Sequence, residues 1–189
     1  MYASCRRITI VRLVVASAVL EIFVYTNGTM KIRTGNLKET AEVARQFLKE
    51  VVIARKSRGA VVVGLSGNLG AGKTAFAKAC AKAMDIRETV MSPTFVLERV
   101  YRIPAKNFTA KRFDHFIHID AYRLSGREEL AHLGWSDIVK NKRNLIFVEW
   151  PEIVKKAMPK DMITVRFKHI DEKTREVSIN GKLKFQNVR

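Results

Sequence analysis

The chain has 189 residues, the length of one ordinary domain. Hydrophobic residues make up 47% and charged residues 28%, a globular balance that excludes a disordered tail, a collagen-like repeat and a disulfide-stapled miniprotein. The two cysteines, Cys5 and Cys80, stand at no metal-ligand spacing, so zinc sites and disulfide frameworks are excluded as well. Lys and Arg number 35 against 18 Asp and Glu, a formal +17 that turns attention to RNA or a strongly acidic protein as partner. The competing explanation for that charge is a surface that is merely solvated.

Residues 1–29 differ from everything after them. The apolar stretch from Ile8 to Tyr25 is interrupted by Arg12 and Glu21, leaving Leu13 to Leu20 as its one clean run. A membrane span needs roughly 20 largely apolar residues, so a transmembrane helix is disfavoured. Arg6-Arg7 followed by a short apolar run has the outline of a signal peptide. The other reading is that translation starts at Met30 or that the leader is dispensable, and then residues 1–29 have no place in the sheet. They would be mobile, or form a helix loosely placed beside the domain at 30–189.

From Met30 onward no internal repeat appears. Asn36 followed by Glu39 reads as an N-cap with its capping-box partner, opening a helix from about Leu37 to Lys56. Val43, Phe47, Leu48, Val51 and Val52 recur on it at helical spacing. Ala60 to Leu65 is a continuous β-branched run, as expected of a buried parallel strand. A glycine-rich turn follows, then an Ala-rich helix from Lys73 to about Met84. Phe95 to Ile103 and Phe116 to Ile119 read as strands, Ser125 to Lys140 as a helix and Leu145 to Val148 as another buried strand. Met162–Lys168 and Arg175–Ile179 alternate like a C-terminal β-hairpin. Alternating helices and strands predict an α/β fold with a mostly parallel sheet flanked by helices.

Gly67-Asn68-Leu69-Gly70-Ala71-Gly72-Lys73-Thr74 fits G-x-x-x-x-G-K-[ST] between a buried strand and a helix, the context of a P-loop NTPase. Glycines let such a backbone wrap closely around phosphates with its N–H groups inward. Lys73 then reaches the β/γ-phosphates and the Thr74 hydroxyl takes Mg2+. Asn141-Lys142-Arg143-Asn144 lacks the aspartate of a guanine signature, and no D-x-x-G occurs, so ATP is favoured over GTP.

Asp120 and Glu149 each follow an apolar strand, the position at which carboxylates face a nucleotide crevice. There one holds Mg2+, directly or through water, while another orients the attacking water. The alternative for either is a helix N-cap or an ion-pair partner. His118 reads as a packed strand histidine, and His115, His132 and His169 offer no metal spacing.

Further stretches carry a family resemblance: Ser92-Pro-Thr-Phe95, His118-Ile-Asp-Ala-Tyr-Arg-Leu124, Glu128-Glu-Leu130, His132-Leu-Gly-Trp135 and Glu149-Trp-Pro-Glu152. With the glycine loop and Lys38-Glu-Thr40, these resemble the TsaE (YjeE) family over about residues 30 to 180. TsaE proteins are small P-loop ATPases of bacterial N6-threonylcarbamoyladenosine tRNA modification. The resemblance implies that Gly67 to Thr74 hold the ATP phosphates, with Thr74 and Glu149 at Mg2+ and Asp120 as the other catalytic carboxylate. It implies that Thr94 lies in a switch-like segment near the γ-phosphate, and that Thr40 touches the adenine side. Trp150 would lie near the nucleotide or at a partner surface; core packing is the other reading for Trp150 and for Phe95. Asn68 stands where the family commonly has aspartate.

The role implied is an accessory ATPase, slow when alone, working in the cytoplasm with TsaD and TsaB homologues and with tRNA bound to their complex. No stable membrane association is implied. Lys106, Lys111 and Arg112 are candidate phosphate contacts. The competing enzyme class is a small metabolite or nucleotide kinase using Arg123 and Arg127 as a phosphate clamp.

Overall fold

A computed structural model describes residues 8–15, 18–25, 29–54, 58–88, 97–181 and 183. In chain order the elements are β1 (Ile8–Val15), β2 (Ala18–Tyr25), β3 (Thr29–Thr34), α1 (Leu37–Ile53), β4 (Val61–Ser66) and α2 (Lys73–Ala83). They continue with β5 (Glu98–Arg102), β6 (His115–Asp120), α3 (Arg127–His132), α4 (Trp135–Ile138), β7 (Asn144–Glu149), β8 (Ile163–His169) and β9 (Arg175–Asn180).

One sheet runs through them in the order β1-β2-β3-β9-β8-β4-β7-β6-β5. Parallel pairing is confined to its middle, β8 to β4, β4 to β7 and β7 to β6. Every other pairing is antiparallel, so the expectation of a mostly parallel sheet is corrected to a mixed α/β sheet. The reason lies in the connections. Crossovers through helices make neighbours parallel in the centre, whereas short links and added edge strands pair antiparallel. The expected C-terminal hairpin is present as β8 and β9, with Phe167 opposite Val177.

The central strands β4 and β7 are buried on both faces, which is why their sequences run apolar without alternation. On one side α1 and α2 pack into a core whose aromatic centre is Phe47, Phe76, Phe147 and Phe167. Phe76 stands edge-on to Phe47 at 5.6 Å and to Phe167 at 5.5 Å. Truncating a buried phenylalanine costs about 3–5 kcal/mol, so this cluster clamps α2, and with it the loop at its start, onto the sheet. On the other side Leu130 and Trp135 cover Ile117, Ile119, Ile146 and Val148.

The cap of α1 is as expected. Asn36 Oδ1 accepts from the Glu39 N–H at 3.0 Å, and Glu39 Oε2 accepts from the Gly35 N–H at 2.7 Å. At its other end Arg112 Nη1 donates to the carbonyls of Val51, Val52 and Ala54. Arg112 is therefore a helix C-cap rather than a free phosphate contact. The single helix expected over Ser125–Lys140 is two short ones, α3 and α4, because Gly134 turns left-handed at φ 69° between them.

The leader departs most from expectation. Where a loosely placed helix or a mobile segment was expected, its described residues 8–15 and 18–25 form two antiparallel strands in which Ile8 faces Tyr25 and Arg12 faces Glu21 in the register. Its β-branched residues favour strands, and β2 pairs with β3 between Ile22 and Val24. The sheet order ties β1 and β2 to the sheet through β3 alone, and β3 is held independently by β9 over its whole length. A chain shortened to residues 30–189 is therefore expected to melt cooperatively within about 4 °C of the full chain, equivalent to roughly 1 kcal/mol. Thermal denaturation followed by circular dichroism checks this, and a collapse of the transition would show β1 and β2 to be integral.

Candidate functional site

The chain leaves β4 at Ser66 and turns at Gly67, whose φ is 142°. A Cβ at Gly67 would sit 2.5 Å from the Phe167 carbonyl oxygen, so β8 passes too close for any side chain there. Gly70 and Gly72 also have positive φ, at 72° and 109°. Between them Ala71 is buried, while Leu69 is exposed at the loop's tip. Gly72 gives α2 no side-chain cap, so the first-turn N–H groups point toward the loop. That end carries partial positive charge.

Lys73, the first residue of α2, is buried and donates through Nζ to the carbonyls of Gly67 at 2.7 Å and Asn68 at 2.9 Å. Its ammonium also lies 3.9 Å from the centre of the Trp150 ring. Desolvation lowers the Lys73 pKa from its ordinary value, opposed by Glu149, Asp120 and Glu152. Trp150 is held in a left-handed conformation at φ 57°, with its N–H donated to the Leu65 carbonyl at 3.1 Å. Its ring leans on Tyr122, 5.1 Å away.

Glu149, at the end of β7, is 2% exposed. Its Oε1 and Oε2 lie 2.8 and 3.0 Å from the Thr74 hydroxyl, which has a single proton to share between them. His118 Nε2 approaches Oε1 at 2.9 Å. Asp120 stands beside Glu149 in the parallel register of β6 and β7. Asp120 Oδ1 accepts the Tyr122 N–H at 3.0 Å, so it also caps the short 3-10 turn Ala121–Arg123. Asp120 thus takes the N-cap role that was its alternative reading.

Loop, Lys73, Thr74, Asp120, Glu149 and Trp150 are brought to one end of the sheet. Thr40 joins them: it lines a cavity of about 240 Å3 with Thr34, Gly70, Ala71, Gly72 and Lys173. Thr94 and Phe95 lie outside the described residues. Lys106 and Lys111 are exposed in the loop before β6.

His118 is the residue that sequence reasoning undervalued. It is a packed strand histidine, fully buried and stacked on Phe116 with ring centres 6.2 Å apart, but it also contacts the Glu149 carboxylate. With Glu149 ionised, the Nε2–H tautomer makes this a hydrogen bond to a charged acceptor, leaving Nδ1 unpartnered among the described residues. The available signal was its spacing: residues two apart on a strand share a face, so His118 and Asp120 point the same way.

Comparison with known proteins shows the family. Residues 34–177 match the family described as "Threonylcarbamoyl adenosine biosynthesis protein TsaE". The chain belongs to the TsaE family. Its relatives include the "tRNA threonylcarbamoyladenosine biosynthesis protein TsaE" of Rickettsia prowazekii, 34% identical over 76% of this chain and 89% of that protein. The protein of the same name from Borreliella burgdorferi is 36% identical over 62% of this chain and 79% of its own length. Among solved structures, Bacillus subtilis YdiB superposes with a TM-score of 0.61 at 24% identity, covering 81% of this chain and 85% of that one. The TsaE match begins at the last residue of β3, so β1 and β2 lie before it.

Replacing His118 by Phe keeps a ring against Phe116 but leaves the buried Glu149 carboxylate one donor short. The expected cost is about 1.5–3 kcal/mol of folding stability, measured by chemical denaturation. A neutral result would mean that the contact is not a hydrogen bond to an ionised carboxylate.

Proposed function

We propose that this TsaE-family chain binds ATP with Mg2+ at the glycine loop and hydrolyses it slowly, as the accessory ATPase of tRNA threonylcarbamoyladenosine modification. The observation that carries the reading is the Thr74–Glu149 hydrogen bond, made beside a buried Lys73 at the mouth of a G-x-x-x-x-G-K-T loop. That is the P-loop arrangement of a hydroxyl and a carboxylate set to share one hard cation.

The donor set fits magnesium. Among the described residues no cluster of three or more His, Cys, Asp and Glu side chains forms a metal cage. Hydroxyl and carboxylate oxygens from Thr74 and Glu149, completed by phosphate oxygens and water, are what Mg2+ prefers. Bound there, the ion neutralises charge on the β- and γ-phosphates.

The chain's own groups do the rest. N–H groups of residues 67–74 cradle the phosphates, and Lys73 exchanges its loop carbonyls for phosphate oxygens. Glu149 accepts the Thr74 hydrogen bond, which would leave the hydroxyl oxygen's lone pairs for the metal. Asp120 orients the attacking water, a role supported by its position level with Glu149 at the ends of β6 and β7. Thr40 and the cavity behind Gly70–Gly72 receive the base.

The expected partners are TsaD and TsaB homologues and the tRNA in their complex, which puts the work in the cytoplasm. Among the described residues no helix is long and apolar enough to cross a membrane. The kinase alternative draws no support from the family match; radiolabelled ATP distinguishes the two, by phosphate release or by transfer to a small acceptor.

Lys73→Ala is expected to weaken binding of a fluorescent ATP analogue at least tenfold and to abolish phosphate release. Glu149→Gln and Asp120→Asn should spare most binding and cut turnover by about 100-fold, because their roles are realised in the transition state. Unchanged turnover in both carboxylate variants would overturn the assignment. In a reconstituted TsaD–TsaB reaction over many turnovers, omission of the chain and Lys73→Ala should stop tRNA modification alike.

A further inference from the structure

Glu149 faces two donors that differ in kind. The Thr74 hydroxyl, 2.8 Å from Oε1 and 3.0 Å from Oε2, belongs to α2 and to the glycine-loop motif. The His118 imidazole, with Nε2 2.9 Å from Oε1, belongs to β6 and is fully buried. The first donor is part of the phosphate site. The second is not.

The register explains how the ring reaches the carboxylate. His118 stands level with Phe147, and Asp120 level with Glu149, so imidazole and carboxylate meet along the diagonal between β6 and β7. Residues two apart on a strand share a face, which puts His118, Asp120, Phe147 and Glu149 on one side of the sheet. An ionised Asp120 has no proton to give, and its Oδ1 is turned to the Tyr122 N–H. Lys73 spends its Nζ donors on the loop carbonyls of Gly67 and Asn68.

Packing alone does not account for the ring. His118 continues an aromatic column in which Tyr101 and Phe116 lie 6.0 Å apart and Phe116 and His118 6.2 Å apart. A phenylalanine would suit that column, whereas the histidine leaves Nδ1 buried without a partner among the described residues. An unmet polar atom in a core weakens the fold.

What the ring does provide is a fixed point for the carboxylate. Oε1 is within reach of both donors, and Oε2 has Thr74 alone among the described residues. An N–H anchored on Oε1 sets the plane of the carboxylate, and with it the direction in which Oε2 meets the hydroxyl. Outer groups of this kind orient the oxygens that serve a metal.

We propose that His118 is a positioning residue for ATP hydrolysis: its Nε2–H fixes the Glu149 carboxylate against Thr74, the pair assigned above to Mg2+. The proposal rests on the ATPase reading and adds a residue that reading does not use.

Two measurements on the full chain test it. In a long-range proton–nitrogen correlation spectrum of histidine-labelled protein without nucleotide, the His118 ring should appear as the Nε2–H tautomer. Its signal, assigned by its loss in His118→Phe, should shift in Glu149→Gln. An Nδ1–H tautomer, or a signal indifferent to Glu149→Gln, would overturn the proposal.

The second measurement sets phosphate release beside affinity for a fluorescent, non-hydrolysable ATP analogue in Mg2+. His118→Phe should cut turnover about 10–100-fold, with analogue affinity held within about threefold, because orientation matters most in the transition state. His118→Gln, whose amide can donate from similar reach, should return turnover to within about threefold of the parent. Adding His118→Phe to Glu149→Gln should cost no more than about threefold beyond Glu149→Gln alone, since the two residues act as a unit. His118→Met gives the same reading should the melting curve show that the phenylalanine misfolds. Turnover in His118→Phe close to the parent's, no recovery in His118→Gln, or losses that multiply in the double variant would each overturn the proposal. A parent chain that neither binds the analogue nor releases phosphate would overturn the ATPase reading and this role with it; a parent that does both, unmoved by His118→Phe, would overturn this role alone.

Discussion

A carboxylate that is 2% exposed must be satisfied on every side, and Glu149 organises the site around that requirement. Left without donors, a buried carboxylate costs several kcal/mol. Its donors come from two other elements: the Thr74 hydroxyl from α2 and the His118 ring from β6. Each can arrive only if the sheet register and the packing of α2 are correct. Parallel pairing sets Asp120 level with Glu149, and the aromatic cluster around Phe76 sets the height of α2. The polar site and the apolar core are two views of one constraint.

Gly67 adds a second constraint of a different kind. Its place is decided by the Phe167 backbone of β8, a strand a hundred residues away in sequence. The loop is therefore shaped by the far side of the sheet as well as by its own glycines. Lys73 then fills the loop's carbonyl lining and lies against Trp150, so the cation is stored in place rather than waving in solvent.

Much of this was legible in the sequence, and for stated reasons. The apolar runs of β4 and β7, the Asn36 cap and the glycine loop carry local signals that tertiary contacts reinforce. What was not legible depends on partners distant in the chain. Residues 8–25 read as an apolar leader with no place in the sheet, and the strand read over Phe95 to Ile103 carries no mark of its neighbour's direction, so the antiparallel edges were missed. Arg112 looks the same in sequence whether it meets solvent or the end of α1. Gly134 lay inside an apolar periodicity that one left-handed residue was enough to split. His118 needed the neighbouring strand to reveal what its ring touches.

The outermost strand, β1, lies five strand spacings from β4, about 24 Å away across the sheet. A strand added at an edge meets only its neighbour, so the sheet can be widened there without disturbing register in the middle. This makes the β1 margin a natural anchoring point. A dye, a surface linker or a fused domain attached there would report on the molecule, or immobilise it, at a distance from the loop set by the sheet itself.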